Sequence, residues 1–157
     1  MDSIKVSTIC FPVQKDKVLL GLKKRGFGEG KWNGFGGKVL LEENPEEAAT
    51  RELREEVGLS TEPVGLKKMA VINFFDGDKP IFKCHVFLVR KWRGKAAESE
   101  EMKPQWFKLK EIPYREMWAS DKIWIPLILR GVKFTGRVDF DLAGNILREF
   151  RIIRKGF

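Results

Sequence analysis

The stretch from Gly37 to Leu59 constrains this chain more than any other. Pro45 to Val57 reads as a helix. Asn44 is a candidate N-cap, Pro45 sits at the first helical position where a missing N–H costs nothing, Glu46 and Glu47 fill the first turn, and Gly58 ends it. On that helix Glu52 and Glu56 are four residues apart and Glu55 lies three from Glu52, so the three carboxylates share one face. Leu53 and Val57 form a neighbouring stripe suited to a core. Like charges at this spacing destabilise a helix by about 0.2–0.5 kcal/mol. They also stand near its C-terminal end, where the dipole disfavours anions. Selection for stability alone would place lysines there. A divalent cation resolves the conflict, because Mg²⁺ takes hard carboxylate oxygens in an octahedral shell and also holds phosphate oxygens. The alternative is a solvated acidic face neutralised by ion pairs, with Arg51 reaching Glu47 and Glu55 and with Arg54 close by.

The surroundings of the helix weigh against that alternative. Gly37 is followed after five residues by Glu43, and then by Arg51-Glu52-Leu53-Arg54-Glu55-Glu56-Val57-Gly58-Leu59. This arrangement resembles the Nudix box at every defining position. The resemblance implies hydrolysis of a nucleoside diphosphate linked to another group, with Mg²⁺ or Mn²⁺ as cofactor. Glu52, Glu55 and Glu56 match the metal-binding and base carboxylates, Arg51 the arginine that orients them, and Glu43 the first glutamate of the box. Gly36 and Gly37 match the loop whose backbone approaches the metal. In such a site the cation offsets phosphate charge and lowers the pKa of water, while a carboxylate accepts the proton. Spacing does not say which glutamate is the base.

The likeness extends beyond the box. Lys23 to Gly28, Gly30 to Val39, Met102-Lys103-Pro104 with Trp106-Phe107, Ile112-Pro113, Met117-Trp118 and Trp124 to Leu127 are similar to the eukaryotic branch that hydrolyses oxidised purine nucleoside triphosphates, the MutT homologues. A purine needs flat apolar walls and a few polar groups to fix its edge. Trp118 suits stacking on the base, with Phe27, Phe74 and Phe82 as walls. Asn33 offers both a donor and an acceptor. Asp121, when ionised, can accept from guanine N–H groups. Core packing would equally account for Phe27, Phe74 and Phe82. Asp121 could merely decorate a helix start, and Trp124 fits helix core or pocket rim. Lys23 resembles a triphosphate-side lysine, Glu101 an extra metal-binding glutamate beside Glu98 and Glu100, and Thr8 a pocket-floor hydroxyl.

The departures are informative. After Met117-Trp118 the similar proteins carry Pro-Asp-Asp, whereas this chain has Ala119-Ser120-Asp121. The resemblance implies that a proton moving within the aspartate pair lets the pocket read both oxidised guanine and oxidised adenine. Ser120 cannot titrate in that way, so guanine-type reading through Asp121 is expected to survive and adenine-type reading to weaken. Ile72 replaces an aromatic, and the Asp76–Pro80 turn is one residue longer.

Composition sets the frame. The 157 residues fit one domain, 1–157, with 43% hydrophobic and 33% charged residues. A net charge of +8 suits a polyanionic partner without naming it. Cys10 and Cys84 belong to no metal-site pattern and read as buried reduced thiols. No apolar run approaches the ~20 residues of a membrane span, and no signal peptide is evident. A cytoplasmic monomer is expected, with a modified purine nucleoside triphosphate as its partner, no membrane and no stable nucleic-acid partner. Strands are predicted at 4–11, 18–23, 64–75, 81–90, 105–108, 133–140 and 146–153, and a second helix at 120–130 with Ser120 as cap. The fold class is α/β (α+β), the Nudix fold, with a mixed sheet sandwiched between helices. Two other readings stay open: another Nudix substrate (an undamaged nucleotide, a nucleotide sugar or an RNA cap), or a catalytically silent Nudix-fold binding module.

Overall fold

The computed structural model describes residues 4–157. Eight strands are interrupted by two helices, in the order β1 (Lys5–Gln14), β2 (Lys17–Lys23), β3 (Trp32–Asn33), α1 (Pro45–Val57), β4 (Leu66–Asp76), β5 (Lys79–Val89), β6 (Met102–Lys108), α2 (Asp121–Leu129), β7 (Phe134–Asp141) and β8 (Ile146–Lys155). The spatial order is β3-β2-β1-β5-β4-β7-β8, with β6 on β2. β1 runs parallel to β5 and β4 parallel to β7, while the remaining pairs are antiparallel, so the sheet is mixed as expected.

The expected β1–β2 hairpin forms only at its turn, at Val13↔Val18 and Gln14↔Lys17. Beyond it β2 leaves β1 and pairs along its whole length with β6, from Lys17↔Lys108 to Lys23↔Met102. β6 is correspondingly longer than predicted. The edge of β1 freed in this way takes the glycine-rich loop instead, through bridges at Cys10↔Phe35 and Ser7↔Lys38.

Alternation along the strands splits the core in two. Cys10, Leu19, Phe87 and Val89 face one side, where Ala49, Leu53 and Val57 of α1 cover them. Phe11, Val18, Leu20, Val86 and Leu88 face the other, where Trp124, Ile125 and Ile128 of α2 pack. The helices therefore lie on opposite faces of the sheet. Cys10 and Cys84 are buried free thiols, one in each layer.

Local chemistry sets the ends of α1. Asn44 (φ −90°, ψ 167°) accepts from the Glu47 N–H at 2.8 Å, and Glu47 Oε1 accepts from the Asn44 N–H at 3.1 Å. This reciprocal capping box stabilises by about 1 kcal/mol. Gly58, at φ 76°, closes the helix in the left-handed region. The α2 cap departs from expectation. Ser120 already has helical dihedrals and makes no side-chain cap bond. Its hydroxyl accepts instead from the Trp124 indole N–H at 3.3 Å, because a buried indole donor needs a partner and Ser120 lies one turn away.

Candidate active site

Arg51 organises the acidic face. Its Nε and one terminal nitrogen grip both oxygens of Glu43, at 2.8 and 3.0 Å. Its other terminal nitrogen donates to Glu52 at 2.8 Å and to Glu55 at 3.3 Å. The terminal nitrogen on Glu43 also donates to the Lys38 carbonyl at 3.1 Å, tying the loop after Gly37 to the helix. The Arg51 hydrogen bonds hold the Glu43 carboxyl down at about 2. Glu43 is thus the anchor of the arginine, and Glu47, the partner considered from sequence, serves the cap instead.

The three helix carboxylates share a face but lie in different environments. Glu55 is 60% exposed and Glu52 17%. Glu56 is 3% exposed, and its Oε1 accepts from the Gly36 N–H at 2.9 Å. Burial and then the charge of Glu52 push the Glu56 carboxyl up to about 8, with Glu101 adding to the rise and Lys23 opposing it. Among the described residues the acidic groups do not converge tightly enough to hold a cation as they stand. Like charges on one turn relax onto the nearest donors, here Arg51 and the Gly36 N–H.

The donor set nevertheless fits a hard divalent cation. Glu52 and Glu56 are neighbouring carboxylates, the charge of Glu52 adding to the cost of ionising the buried Glu56, beside a loop of glycines. A Cβ on Gly36 would collide with the Thr8 carbonyl oxygen, and one on Gly37 would stand 2.7 Å from Glu52 Oε1. Only glycine permits this approach of the loop to β1 at Gly36 and to α1 at Gly37. Gly37→Ala is expected to displace Glu52 and lower kcat on the order of 10²-fold, with the melting temperature nearly unchanged. Steady-state kinetics beside a thermal melt checks this.

Glu101 sits where β6 begins. The Glu98–Glu101 segment packs against the end of β2 as Glu98–Lys24 (2.7 Å), Glu100–Arg25 (3.6 Å) and Glu101–Lys23 (3.6 Å). Of these three acids, Glu101 is the one whose charge reaches Glu56.

A cavity of about 540 Å³ joins this face to an aromatic pocket. Thr8, Lys23, Phe27, Asn33, Gly36, Gly37, Glu56, Phe82 and Trp118, all singled out from sequence, line it. Phe27 stacks on Trp118 (5.1 Å between centroids, 20° between planes), and the Lys31 ammonium lies 4.7 Å from the Trp118 ring. Among the described residues the buried Thr8 hydroxyl has no hydrogen-bond partner. Phe74, Ser120, Asp121 and Trp124 are buried outside that lining. Phe74 backs Phe82 at 4.7 Å. Asp121 is 3% exposed and accepts from the Trp118 N–H at 3.2 Å. Burial pushes its carboxyl up to about 8, so it is neutral at pH 7 rather than ionised.

Other residues escaped the sequence reading. Lys5, Lys31 and Lys38 join Lys23 around the cavity, and Ser7 and Cys84, opposite each other on β1 and β5, lie on its floor. Burial pushes the Cys84 thiol up to about 12, so it stays protonated. Asn145, from the β7–β8 turn, accepts from the Ala119 N–H at 2.8 Å and donates to the Met117 carbonyl at 3.3 Å. It pins the segment that carries Trp118. Its positive φ of 50° marks a tight turn, and nothing in its spacing points to Trp118.

An acid-faced helix, a glycine loop against its carboxylates and a cation-rimmed cavity between them describe a class of phosphate-bond hydrolases. Residues 4–128 match the NUDIX domain. The chain belongs to the Nudix hydrolase family, whose members generally need a divalent metal. It is 48% identical over 141 residues to an oxidized purine nucleoside triphosphate hydrolase of Danio rerio, covering 89% of each chain. It is 45% identical over 148 residues to the protein of that name from Mus musculus, covering 94% of each. Among solved structures it is similar to a MutT protein from Bacillus halodurans, with a TM-score of 0.82 and 26% identity over 96% of this chain and 98% of that one.

Proposed function

We propose that this chain hydrolyses oxidised purine nucleoside triphosphates of the 8-oxo-dGTP type to the nucleoside monophosphate and pyrophosphate, and so sanitises the nucleotide pool. One observation carries the reading: a single cavity runs from the buried Glu56 and the Gly36–Gly37 loop to the Trp118, Phe27 and Phe82 walls, with Asn33 between them. The vertebrate relatives support the substrate class by their names.

In this reading Glu52, Glu55 and Glu56, with the Gly36–Gly37 backbone and Glu101, would hold Mg²⁺ or Mn²⁺. The bound cation supplies charge neutralisation at phosphate and a more acidic water. The chain's own groups do the rest. Lys23 and its neighbouring lysines seat the triphosphate, Arg51 keeps Glu52 and Glu55 oriented, and a helix carboxylate takes the proton of the attacking water. That water bonds to phosphorus, and a P–O bond breaks to release pyrophosphate. Trp118 stacks on the base and Asn33 reads its edge, while Asp121, bonded to the Trp118 N–H behind the cavity wall, is the group assigned to the guanine edge once the base is seated. The enzyme acts as a cytoplasmic monomer of one domain, in keeping with two buried free thiols.

A turnover panel of 8-oxo-dGTP, 2-hydroxy-dATP, O6-methyl-dGTP and the normal dNTPs, with and without Mg²⁺, tests the proposal by product chromatography. Ser120 is engaged with Trp124 and cannot share a proton with Asp121. The kcat/KM for 8-oxo-dGTP is therefore expected to exceed that for 2-hydroxy-dATP by at least about tenfold, roughly one lost hydrogen bond. Equal efficiency on the two would remove the Asp121 argument. Release of pyrophosphate only from undamaged nucleotides would overturn the substrate class.

A further inference from the structure

A second charged surface lies at the far end of β1. Lys5 to Ile9 border the substrate cavity, whereas Val13 to Lys15 border a separate cavity of about 650 Å³ with Arg90, Lys91 and Trp92. A third cavity of about 510 Å³ adjoins it, sharing Gln14 and Trp92 and adding Lys95, Gln105 and Trp106. Together they form a groove. At about 3.3 Å per residue Ile9 and Val13 stand roughly 13 Å apart, and no residue lines both the substrate cavity and this groove, so the two are distinct.

The groove is basic and uncompensated. The segment Arg90-Lys91-Trp92-Arg93-Gly94-Lys95 carries four cations in six residues, all exposed. No carboxylate lines either cavity. Among the described residues none of these cations, nor Lys15, takes part in an ion pair, unlike Lys23, Lys24, Arg25, Arg51 and Arg148. A surface kept basic for solubility needs nothing more. This one has an aromatic floor, where Trp92 stacks on Trp106 at 5.8 Å and 29°, both half-buried. Gln14 and Gln105 place amides beside the rings.

Cations along a groove with a recessed aromatic floor and amide groups match single-stranded nucleic acid, whose phosphates take the charges and whose bases take the flat faces. A membrane surface would instead favour aromatic side chains projecting outward to reach the acyl boundary, and these are recessed. We propose that this groove is a docking site for single-stranded nucleic acid. This departs from the expectation drawn from sequence, because net charge could not show where the cations gather.

Fluorescence anisotropy with a short fluorescein-labelled oligothymidylate tests the proposal. Micromolar binding at low salt is expected, with tryptophan quenching and a log–log salt slope of about −2 to −3, as three or four phosphate contacts require. The Arg90→Glu/Lys91→Glu/Lys95→Glu variant should bind at least tenfold more weakly while hydrolysing nucleotide at the wild-type rate. A matched thermal melt confirms that it is folded. Absence of wild-type binding, or equal binding by the variant, overturns the proposal. So does preferential capture by phosphatidylserine vesicles, which would make the groove a membrane contact.

Discussion

Glu56→Gln is expected to lower kcat by about 10³-fold or more while leaving the protein folded. The substitution keeps the shape and the oxygen that accepts from the Gly36 N–H. It removes the negative charge that the mechanism places on cation and water. The folded state tolerates the loss, because burial and Glu52 already disfavour the Glu56 charge, and among the described residues Glu56 forms no ion pair. The melting temperature in metal-free buffer should be unchanged or higher. Two controls sharpen the result. Glu55→Gln, at a side chain 60% exposed, should cost far less than Glu56→Gln. Glu47→Gln should cost nothing, since glutamine also completes a capping box. Full activity of Glu56→Gln in single-turnover kinetics would remove the carboxylate from the chemistry.

Asp121→Asn should stabilise the protein and impair it at once. The carboxyl is 3% exposed, and burial raises it from 3.8 in the unfolded chain to about 8. The sign follows from proton counting. Below pH 3.8 both states are protonated and Asp121 costs nothing. Between that value and about 8 the unfolded chain releases a proton that the folded chain keeps, so stability falls as pH rises. At ~1.4 kcal/mol per pH unit the penalty reaches on the order of 4 kcal/mol by pH 7. Asparagine escapes it and can still accept from the Trp118 N–H. Melting curves of variant and wild type should coincide near pH 4 and separate by roughly 10 °C by pH 8. If Asp121 reads the guanine edge as a carboxylate ionised on substrate binding, kcat/KM for 8-oxo-dGTP falls by about 10²-fold, since asparagine offers those N–H groups no charged acceptor. A pH-independent difference in melting temperature would refute the buried neutral carboxyl. Undiminished turnover would refute the reading role.

The limits of α1 and the shared face of Glu52, Glu55 and Glu56 were legible in the sequence because they depend on residues within about four positions. Asn44, Pro45, Glu47 and Gly58 carry that information locally. The glycine loop and the walls from Phe27, Phe82 and Trp118 were legible through likeness to a family, with their contacts left open. Ser120 takes the N-cap position as expected but not the capping bond, because a serine before a helix has the same local signature whether its hydroxyl caps the backbone or serves a buried indole.

Tertiary structure decided what distant segments do to one another. Parallel pairing of β1 with β5 sets Ser7 opposite Cys84. The departure of β2 from β1 frees an edge for Phe35 to Lys38, which brings Gly36 against Glu56. Asn145 reaches back to hold the Trp118 segment, and Trp92, just past β5, stacks on Trp106 of β6. The physical reason is one of range. Caps and helical faces follow from bonds a few residues long, whereas burial, and with it the shifted carboxyls of Glu56 and Asp121, exists only once remote chain has closed over them.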